Sequence, residues 1–410
     1  MRSVTFIHVA DLHLDSPFLG LPPLPKELKR RIQESTFRSF SKIIDIAIDK
    51  RIDFLLISGD IYDGEDRSIK AQARLRKELV RLHEKNIPVY IIHGNHDHLG
   101  GNWTTLELPP NAHVFGDQVE RKRLVKTDGT TVHLYGFSYP KRHVYESLLS
   151  FYKKEGEATF HIGLLHGQVE GNNDHTPYAP FTVQQLLTKG FDYWALGHIH
   201  KQQILHMDPP MVYPGNIQGR HRKEQGEKGG YLVTLTEHSE PSMTFLATSD
   251  VNWETIMIHI EKGSTFHDIF LQCQTKLQSI RKEQVGQLVD LHIELEERNE
   301  DLLQKVQTGE FIEILQEGEE QEEAFVWPYN VRVVSPEVEV PFSAMFLNEL
   351  EETIQALSME TIYEGPLKEL FHHYQAGKYI SPLTEQEMNE LIDEAKTTLF
   401  TTFQTIGKQR

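Results

Sequence analysis

Five short motifs in the first half of the chain carry side chains that transition metals prefer, and most of them directly follow apolar runs. The motifs are Asp11-Leu12-His13, Gly59-Asp60-Ile61-Tyr62-Asp63, Gly94-Asn95-His96-Asp97, His166-Gly167 and Gly197-His198-Ile199-His200. Imidazole combined with carboxylate suits Mn²⁺, Fe²⁺ or Zn²⁺ better than Ca²⁺. Each motif alone is a weak signal, but the combination predicts a site for divalent cations.

The residue types are sufficient for two neighbouring metal sites. Two divalent cations about 3.5–4 Å apart can hold both the attacking and the leaving oxygen of a phosphoester displacement. Asp60 ends the central strand and is the expected bridging ligand. One site would be completed by Asp11, His13 and His200, and the other by Asn95, His166 and His198. Such cations lower the pKa of a bridging water, so hydroxide is available near neutral pH.

His96 adjoins the predicted ligand Asn95 but need not be a ligand itself. It is the candidate that stabilises the transition state or protonates the leaving alkoxide. Asp97 follows it directly and could orient its ring, as carboxylates often do for imidazoles. We therefore predict catalytic roles for His96 and Asp97.

An alternation of strands and helices must position these motifs. Strands are predicted at 3–10, 53–58 and 87–92, and helices at about 26–50 and 68–86. This βαβαβ order implies a parallel sheet, whose strands present ligands at their carboxyl ends. The five loops are expected to converge on one edge of a sheet.

The pattern changes after residue 113, and antiparallel strands are expected at 202–206, 211–213, 230–236 and 242–247. Asp128-Gly129 predicts a hairpin between 124–126 and 131–135. Helices are predicted at 145–153 and 182–189. Further strands are predicted at 159–165 and 191–196.

Three regions are predicted along the chain. A metal-binding domain covers 1–250, a small βαβαβ module covers 251–335, and a helical region covers 336–410. The helices of the last region are expected at 342–357, 365–377 and 384–404.

The composition limits the compartment and the mode of substrate binding. Among 410 residues, 42 are Lys or Arg and 60 are Asp or Glu, which gives a net charge of −18. Bulk charge therefore does not hold a polyanion, and metal ions or local basic patches must do so. Cys273 is the one cysteine, which excludes an intrachain disulfide and fits a reducing compartment. No signal peptide or apolar run of about 20 residues is found. We expect a cytoplasmic protein without a membrane segment.

The motif order Asp-x-His, Gly-Asp-x-x-Asp, Gly-Asn-His-Asp, His, Gly-His-x-His resembles that of the calcineurin-like metallophosphoesterases, over residues 1 to about 220. Three stretches, 9–15, 197–201 and 213–218, narrow the resemblance to DNA-repair nucleases of the bacterial SbcD type, and most closely to YhaO-type exonucleases. The resemblance implies an α/β fold, a metallophosphoesterase β-sandwich flanked by helices. It also identifies 1–250 as the nuclease domain and 251–335 as a capping domain.

The resemblance further implies a function and partners. The function is a two-metal-dependent DNA exonuclease in DNA repair, with Mn²⁺ as the expected metal and Fe²⁺ or Zn²⁺ as alternatives. Metal-bridged hydroxide would attack the phosphodiester while His96 assists the leaving group. The implied partners are DNA, an SMC-like coiled-coil ATPase docked through 336–410, and a second copy bound through helices 26–50 and 68–86.

Some details of the resemblance remain open. Arg220 and Arg222 are the expected DNA contacts, and the basic stretches 29–31 and 141–143 are others. Asp63 stands where some relatives have histidine, which leaves its role in exonuclease action in doubt. The alternatives are another metallophosphoesterase, such as a phosphoprotein phosphatase or cyclic-nucleotide phosphodiesterase, and a non-catalytic scaffold of the same fold.

Overall fold

The computed structural model describes residues 1–63, 67–101, 104–170 and 178–336, together with positions 352, 391, 392 and 395. The predicted helical region 336–410, with its proposed ATPase-docking segment, therefore lies almost wholly outside the described residues. Among the described residues, no helix is long and apolar enough to cross a membrane.

Two six-stranded sheets form the first part of the chain. In chain order, their strands and helices are β1 (Ser3–Val9), α1 (Lys26–Lys50), β2 (Phe54–Ser58), α2 (Ile69–His83), β3 (Val89–Ile92), β4 (Ala112–Val114), β5 (Glu120–Val125), β6 (Thr131–Gly136), β7 (Phe160–His166), α3 (Val183–Leu187), β8 (Tyr193–Gly197), β9 (Gln203–Met207), β10 (Pro210–Tyr213), β11 (Gly229–Thr236) and β12 (Ser242–Ala247). The strand order is β12-β11-β1-β2-β3-β4 in one sheet and β5-β6-β7-β8-β10-β9 in the other.

The two sheets pack face to face around a shared apolar core, which confirms the predicted α/β sandwich. Phe6, Phe54 and Leu56 of the first sheet pack with Ile162 and Leu164 of the second. The prediction that all five motifs meet at one sheet edge is wrong. Three follow β1, β2 and β3 of the first sheet, but two follow β7 and β8 of the second. Because the second sheet packs against the first, the carboxyl ends of β7 and β8 lie close to those of β1, β2 and β3.

The helices α1 and α2 cover the outer face of the first sheet. Their apolar stripes, including Phe40 and Ile43 of α1 and Leu75 and Leu79 of α2, are buried in its core. Burial in the core leaves these stripes unavailable to a second copy, and the homodimer stays a prediction.

The predicted helix at 145–153 is wrong, because only one short turn forms there, at Leu149–Phe151. Tyr152 ends that turn in an extended conformation, and its buried hydroxyl donates to the Leu164 carbonyl at 2.6 Å. This anchor to the neighbouring strand draws the chain away from the helical path.

A third, all-parallel sheet follows, as the predicted βαβαβ module required. It consists of β13 (Val251–Ile260), α4 (Phe266–Ser279), β14 (Gly286–Leu295), α5 (Glu300–Gln307), α6 (Glu310–Gln316) and β15 (Val326–Val334), with strand order β13-β14-β15. We refer to residues 251–335 as the cap. Residues 1–335 nevertheless pack as one compact unit.

Contacts between α1 and the cap explain that compactness. Leu28 and Ile32 of α1 share a core with Trp253 of β13. Arg31 lies 3.2 Å from the buried Asp250 carboxylate and donates to the Gln284 carbonyl at the same distance. Arg31 therefore joins α1 to the cap, and the prediction that it contacts DNA is corrected.

Candidate metal centre

The seven predicted ligands lie together where the loops of the two sheets meet. Three groups have ligand atoms within 4.8 Å of one another, and one of them joins His13 to Asp63 and His96. The other two contain predicted ligands only, namely a first group of Asp11, His13 and His200 and a second group of Asp11, Asp60 and His166. Asn95 and His198 join the second group, because the Asn95 amide oxygen lies 3.1 Å from His166 Nε2 and 3.2 Å from His198 Nδ1. All seven predicted ligands are thus brought into one cluster.

Asp60 occupies the middle of this cluster. Its Oδ2 lies 3.4 Å from His166 Nε2 and 4.0 Å from His13 Nε2, so it faces one histidine of each predicted site. Its Oδ1 accepts from the His96 backbone N–H at 2.9 Å. This position suits a carboxylate that bridges two cations.

The first group contains two ring nitrogens that face each other. His13 Nε2 and His200 Nε2 are 3.1 Å apart. His200 Nδ1 donates to the Glu224 carboxylate at 2.6 Å, which fixes the ring with Nε2 towards His13. Burial lowers the pKa of His13 to about 3, so this ring is neutral at neutral pH. The two Nε2 atoms face a common point, and an unprotonated imidazole nitrogen is a common ligand of metal ions.

The second group shows a similar meeting of acceptors. His166 Nδ1 donates to the Ser58 carbonyl at 2.9 Å, so a neutral ring directs its Nε2 lone pair at the Asn95 oxygen. Burial opposes a charge on His166, but Asp60 and Asp11 raise its pKa to about 9. A proton therefore separates these acceptors until a cation replaces it, and metal binding must release that proton. Both groups consequently fit divalent cations.

The backbone at the cluster is strained. Asp11, His13, Asp60 and His198 all have positive φ, at 52°, 43°, 50° and 105°. Such non-glycine conformations cost about 1–3 kcal/mol each and persist where the surroundings enforce them. Here the Asp11 N–H donates to the Gly59 carbonyl at 3.1 Å and the His13 N–H to the Asp60 carbonyl at 3.0 Å. The β1 and β2 loops therefore hold each other in the ligating conformation.

A glycine in the third motif leaves room for this packing. A Cβ atom at Gly94 would collide with the Asp60 carboxylate and with the His166 ring. The motif therefore needs glycine before Asn95 for steric reasons.

Asp63, rather than Asp97, holds His96. The Asp63 carboxylate lies 3.0 Å from His96 Nδ1. Asp97 instead accepts from the Ile61 and Gly94 N–H groups at 2.9 and 2.7 Å and contacts His93 Nδ1 at 2.8 Å. The prediction that Asp97 orients His96 is wrong, because a tight turn directs its carboxylate at the backbone of its own loop. Asp97 fixes the shape of the ligand loops.

Two more side chains support Asp63. Ser16 Oγ donates to it at 2.6 Å and Arg220 Nη1 at 3.0 Å. Burial opposes ionisation, but contacts with His13, His96 and Arg220 keep the pKa of Asp63 far below its usual range. Arg220, a predicted DNA contact, therefore serves this network. Arg222 is partly exposed and acts electrostatically on Tyr329 of the cap.

Sequence reasoning missed Glu224, which no motif marks. Its Oε1 contacts His200 Nδ1 at 2.6 Å and its Oε2 accepts from the Arg220 N–H at 2.7 Å. The loop that carries it, 219–226, is held by Trp253 of the cap. Trp253 Nε1 donates to the Gly219 carbonyl at 3.2 Å, and its own carbonyl accepts from the Gly226 N–H at 3.0 Å. The only signal was the position of this loop after the Tyr213-Pro214-Gly215 stretch.

Comparison with known proteins places this cluster in a family. The family model described as calcineurin-like phosphoesterase matches residues 4–202. YhaO, an uncharacterised metallophosphoesterase of Bacillus subtilis (strain 168), is 39% identical over 405 residues, which cover 97% of this chain and 98% of YhaO. The chain belongs to the calcineurin-like metallophosphoesterases. This metallophosphoesterase thus has the family's dimetal fold, and its Asp and His groups are suited to hold the metals.

More distant relatives carry a repair-protein name. The DNA double-strand break repair protein Mre11 of Methanocaldococcus jannaschii is 29% identical over 246 residues, covering 56% of this chain and 62% of its own. Mre11 of Sulfurisphaera tokodaii is 30% identical over 252 residues, covering 58% and 61%. A solved dimetal phosphatase of Danio rerio aligns with 59% of the metallophosphoesterase and 99% of its own chain, at a TM-score of 0.35 and 11% identity.

In this metallophosphoesterase, Asp63→Asn is expected to lower kcat at neutral pH by about 10- to 100-fold. Burial lowers the pKa of His96, but Asp63 and Asp60 raise it above its usual value overall. If protonated His96 is the acid, kcat falls as pH rises through that pKa. Loss of the Asp63 charge lowers the pKa, so the alkaline limb should move to lower pH.

The measurement is kcat against pH, with Asp15→Asn as the matched control. Asp15 accepts from Ser68 Oγ at 2.7 Å and has a charge contact with Lys70, without any described contact to His96. An alkaline limb that stays in place in Asp63→Asn would contradict the role of Asp63 in holding the His96 proton.

Glu224→Gln is expected to weaken binding of one metal ion by about 10- to 100-fold and to leave the other unchanged. The glutamine cannot accept from both His200 Nδ1 and the Arg220 N–H, so the His200 ring loses its fixed orientation. Metal content after dialysis against graded Mn²⁺ measures this directly. Glu227→Gln is the control, because Glu227 lies on the surface and pairs with Lys282 at 3.0 Å. Equal weakening of both ions would instead indicate general disorder of the cluster.

Proposed function

We propose that this metallophosphoesterase is a two-metal-dependent DNA exonuclease that acts in DNA repair. Hydrolysis of a phosphoester is supported by the cluster of seven ligands with His96 beside it. The DNA substrate is supported by one observation, the similarity to the two Mre11 proteins over more than half of this chain.

The ligand cluster would hold two Mn²⁺ ions, with Fe²⁺ or Zn²⁺ as alternatives of the same ligand preference. Asp11, His13, Asp60 and His200 would form one site, and Asp60, Asn95, His166 and His198 the other. Bound cations would polarise the phosphate and lower the pKa of a water molecule. Asn95 supplies a neutral oxygen and so limits the negative charge that meets an anionic substrate.

The proton for the leaving alkoxide would come from His96. Its Nδ1 is held by Asp63 at 3.0 Å, and its Nε2 makes no hydrogen bond within the part of the chain that the structure describes. The ring is about one-third exposed, so a substrate can reach Nε2. Arg220 offsets the Asp63 charge and keeps the carboxylate in place.

Partners follow from the same proposal. An SMC-like coiled-coil ATPase would supply further DNA attachment to an acidic chain, and its docking segment within 336–410 stays a prediction. A homodimer would require surfaces other than the buried stripes of α1 and α2.

The decisive test compares substrates under Mn²⁺. End-labelled single-stranded and double-stranded DNA would be offered beside a phosphopeptide, a cyclic nucleotide and bis-p-nitrophenyl phosphate. Metal-dependent shortening of DNA from an end supports the proposal. Hydrolysis of the phosphopeptide or cyclic nucleotide alone would favour another metallophosphoesterase activity. Metal binding without hydrolysis of any substrate would favour a scaffold.

The two predicted DNA contacts should behave differently. Arg222→Ala is expected to weaken DNA binding and to reduce the salt dependence of log K by about one unit, as for one lost phosphate contact. Arg220→Ala should instead lower kcat, because Asp63 loses a partner at 3.0 Å. Binding titrations over a range of salt concentrations, beside kcat on bis-p-nitrophenyl phosphate, separate the two.

Arg51→Ala is the matched control for these variants. Arg51 is exposed at the carboxyl end of α1, at the sheet edge opposite the ligand loops. An unchanged salt slope in Arg222→Ala would remove that residue from the DNA-binding surface.

A further inference from the structure

Four aromatic rings form a column that begins at a predicted metal ligand. The Tyr178 ring lies 5.0 Å from the His198 ring, at 47° between planes. His143 follows at 5.5 Å and 26°, and Tyr145 at 5.6 Å and 9°. The rings thus become more parallel with each step away from the metal centre. We call His198, Tyr178, His143 and Tyr145 the ring column.

The backbone fixes the two segments that supply the column. The Ala179 N–H donates to the Val144 carbonyl at 2.6 Å, and both of these residues are buried. This bond lies between the neighbours of Tyr178 on one segment and of His143 and Tyr145 on the other. A buried backbone hydrogen bond therefore joins the two segments that carry the stacked rings.

The outermost ring is open. Tyr145 is 53% exposed although His143 covers one of its faces, so the opposite face is accessible to a ligand. Lys141 and Arg142 precede it in the same loop and are exposed. Neither forms an ion pair with a residue that the structure describes. An open aromatic face beside unengaged basic side chains is the combination that binds single-stranded nucleic acid.

The distance from the metal centre fits a bound strand. A stacked strand advances about 3.4 Å per nucleotide, so the three ring steps span a few nucleotides. A phosphate held at the cluster would place one of the next few bases of the same strand near Tyr145. The base must be unpaired, because a paired base within a duplex does not present a free face.

We propose that Tyr145 is a stacking subsite for an unpaired nucleobase of the DNA strand being cut, with Lys141 and Arg142 contacting its phosphates. This subsite rests on the proposed function for its substrate. It predicts that a duplex end must open over a few base pairs before the strand reaches the metal centre.

A thermodynamic cycle tests this subsite by removing the Tyr145 ring and the stacked base, separately and together. Single-stranded DNA of about 12 nucleotides, with an abasic position moved along the strand, is titrated onto the full chain carrying His96→Ala to prevent cleavage. One abasic position should weaken binding about tenfold, and Tyr145→Ala should weaken binding of the intact strand by the same factor. The two changes together should cost no more than either alone. Tyr145→Phe keeps the ring and should bind normally.

Phe151→Ala is the matched control, since Phe151 is a 62% exposed aromatic residue outside the ring column. It should leave DNA affinity unchanged. In the otherwise native chain, Tyr145→Ala should bind as much Mn²⁺ as the wild type, because Tyr145 lies three ring steps from His198.

Two results would overturn the subsite. Equal affinity of Tyr145→Ala and the parent for DNA would show that no base stacks there. Additive penalties in the cycle would show that Tyr145 acts without contacting the base. A wild-type chain that hydrolyses bis-p-nitrophenyl phosphate but neither binds nor cuts DNA would overturn the proposed function itself, which distinguishes the two failures.

Discussion

His96→Ala is expected to lower kcat on DNA by about 100- to 10,000-fold while both metal ions stay bound. The imidazole Nε2 is the proposed proton donor, whereas the contact of residue 96 with Asp60 is made by its backbone N–H at 2.9 Å. Alanine keeps that backbone bond, so the bridging carboxylate should stay in position. Metal content and kcat measured on the same preparation would separate loss of chemistry from loss of ligation.

A change of leaving group sharpens this prediction. A p-nitrophenolate leaves without a proton, whereas a deoxyribose alkoxide needs one. His96→Ala should therefore lose much less activity on bis-p-nitrophenyl phosphate than on DNA. Equal losses on both substrates would assign His96 to stabilising charge on the phosphate. Loss of a metal ion would make it a ligand.

Asp60→Asn is expected to abolish activity. It should also weaken the binding of both metal ions by more than the roughly 10- to 100-fold that follows loss of a side chain that only orients a ligand. The Asp60 carboxylate faces His166 at 3.4 Å and His13 at 4.0 Å, so a neutral amide removes charge from both sites at once. Removal of this carboxylate also takes away a charge that holds the pKa of His166 at about 9.

Metal analysis under saturating Mn²⁺ is the measurement, with Asp15→Asn as the control. Asp15 accepts from Ser68 Oγ at 2.7 Å and pairs with Lys70, without any described side-chain contact to a predicted ligand, so its variant should keep both ions. Retention of one tightly bound ion in Asp60→Asn would show that Asp60 serves a single site and does not bridge.

The ligands could be predicted from sequence because each lies within four residues of a strand end. Strands are readable as short apolar runs, and the ends of neighbouring parallel strands meet. Asp11, Asp60 and His166 are all of this kind. The division of the motifs between two sheets was not readable, because strand spacing does not state which strands pair.

Roles that depend on loop conformation were harder to predict. Asp97 is the sequence neighbour of His96, yet its carboxylate turns back to Gly94 and Ile61. Asp63 reaches His96 from another loop, and Glu224 reaches His200 from a loop without a motif. Such pairings are set by long-range folding, which a single sequence does not display.

The loop 219–226 limits which caps could replace the native one. It carries both Arg220, which supports Asp63, and Glu224, which supports His200, while its two ends are bonded to Trp253 of the cap. The cap is therefore not an interchangeable module. A chimera that received a foreign cap without an indole at position 253 would lose the bond to the Gly219 carbonyl, at the end of the loop next to Arg220, and would keep only the backbone bond at Gly226.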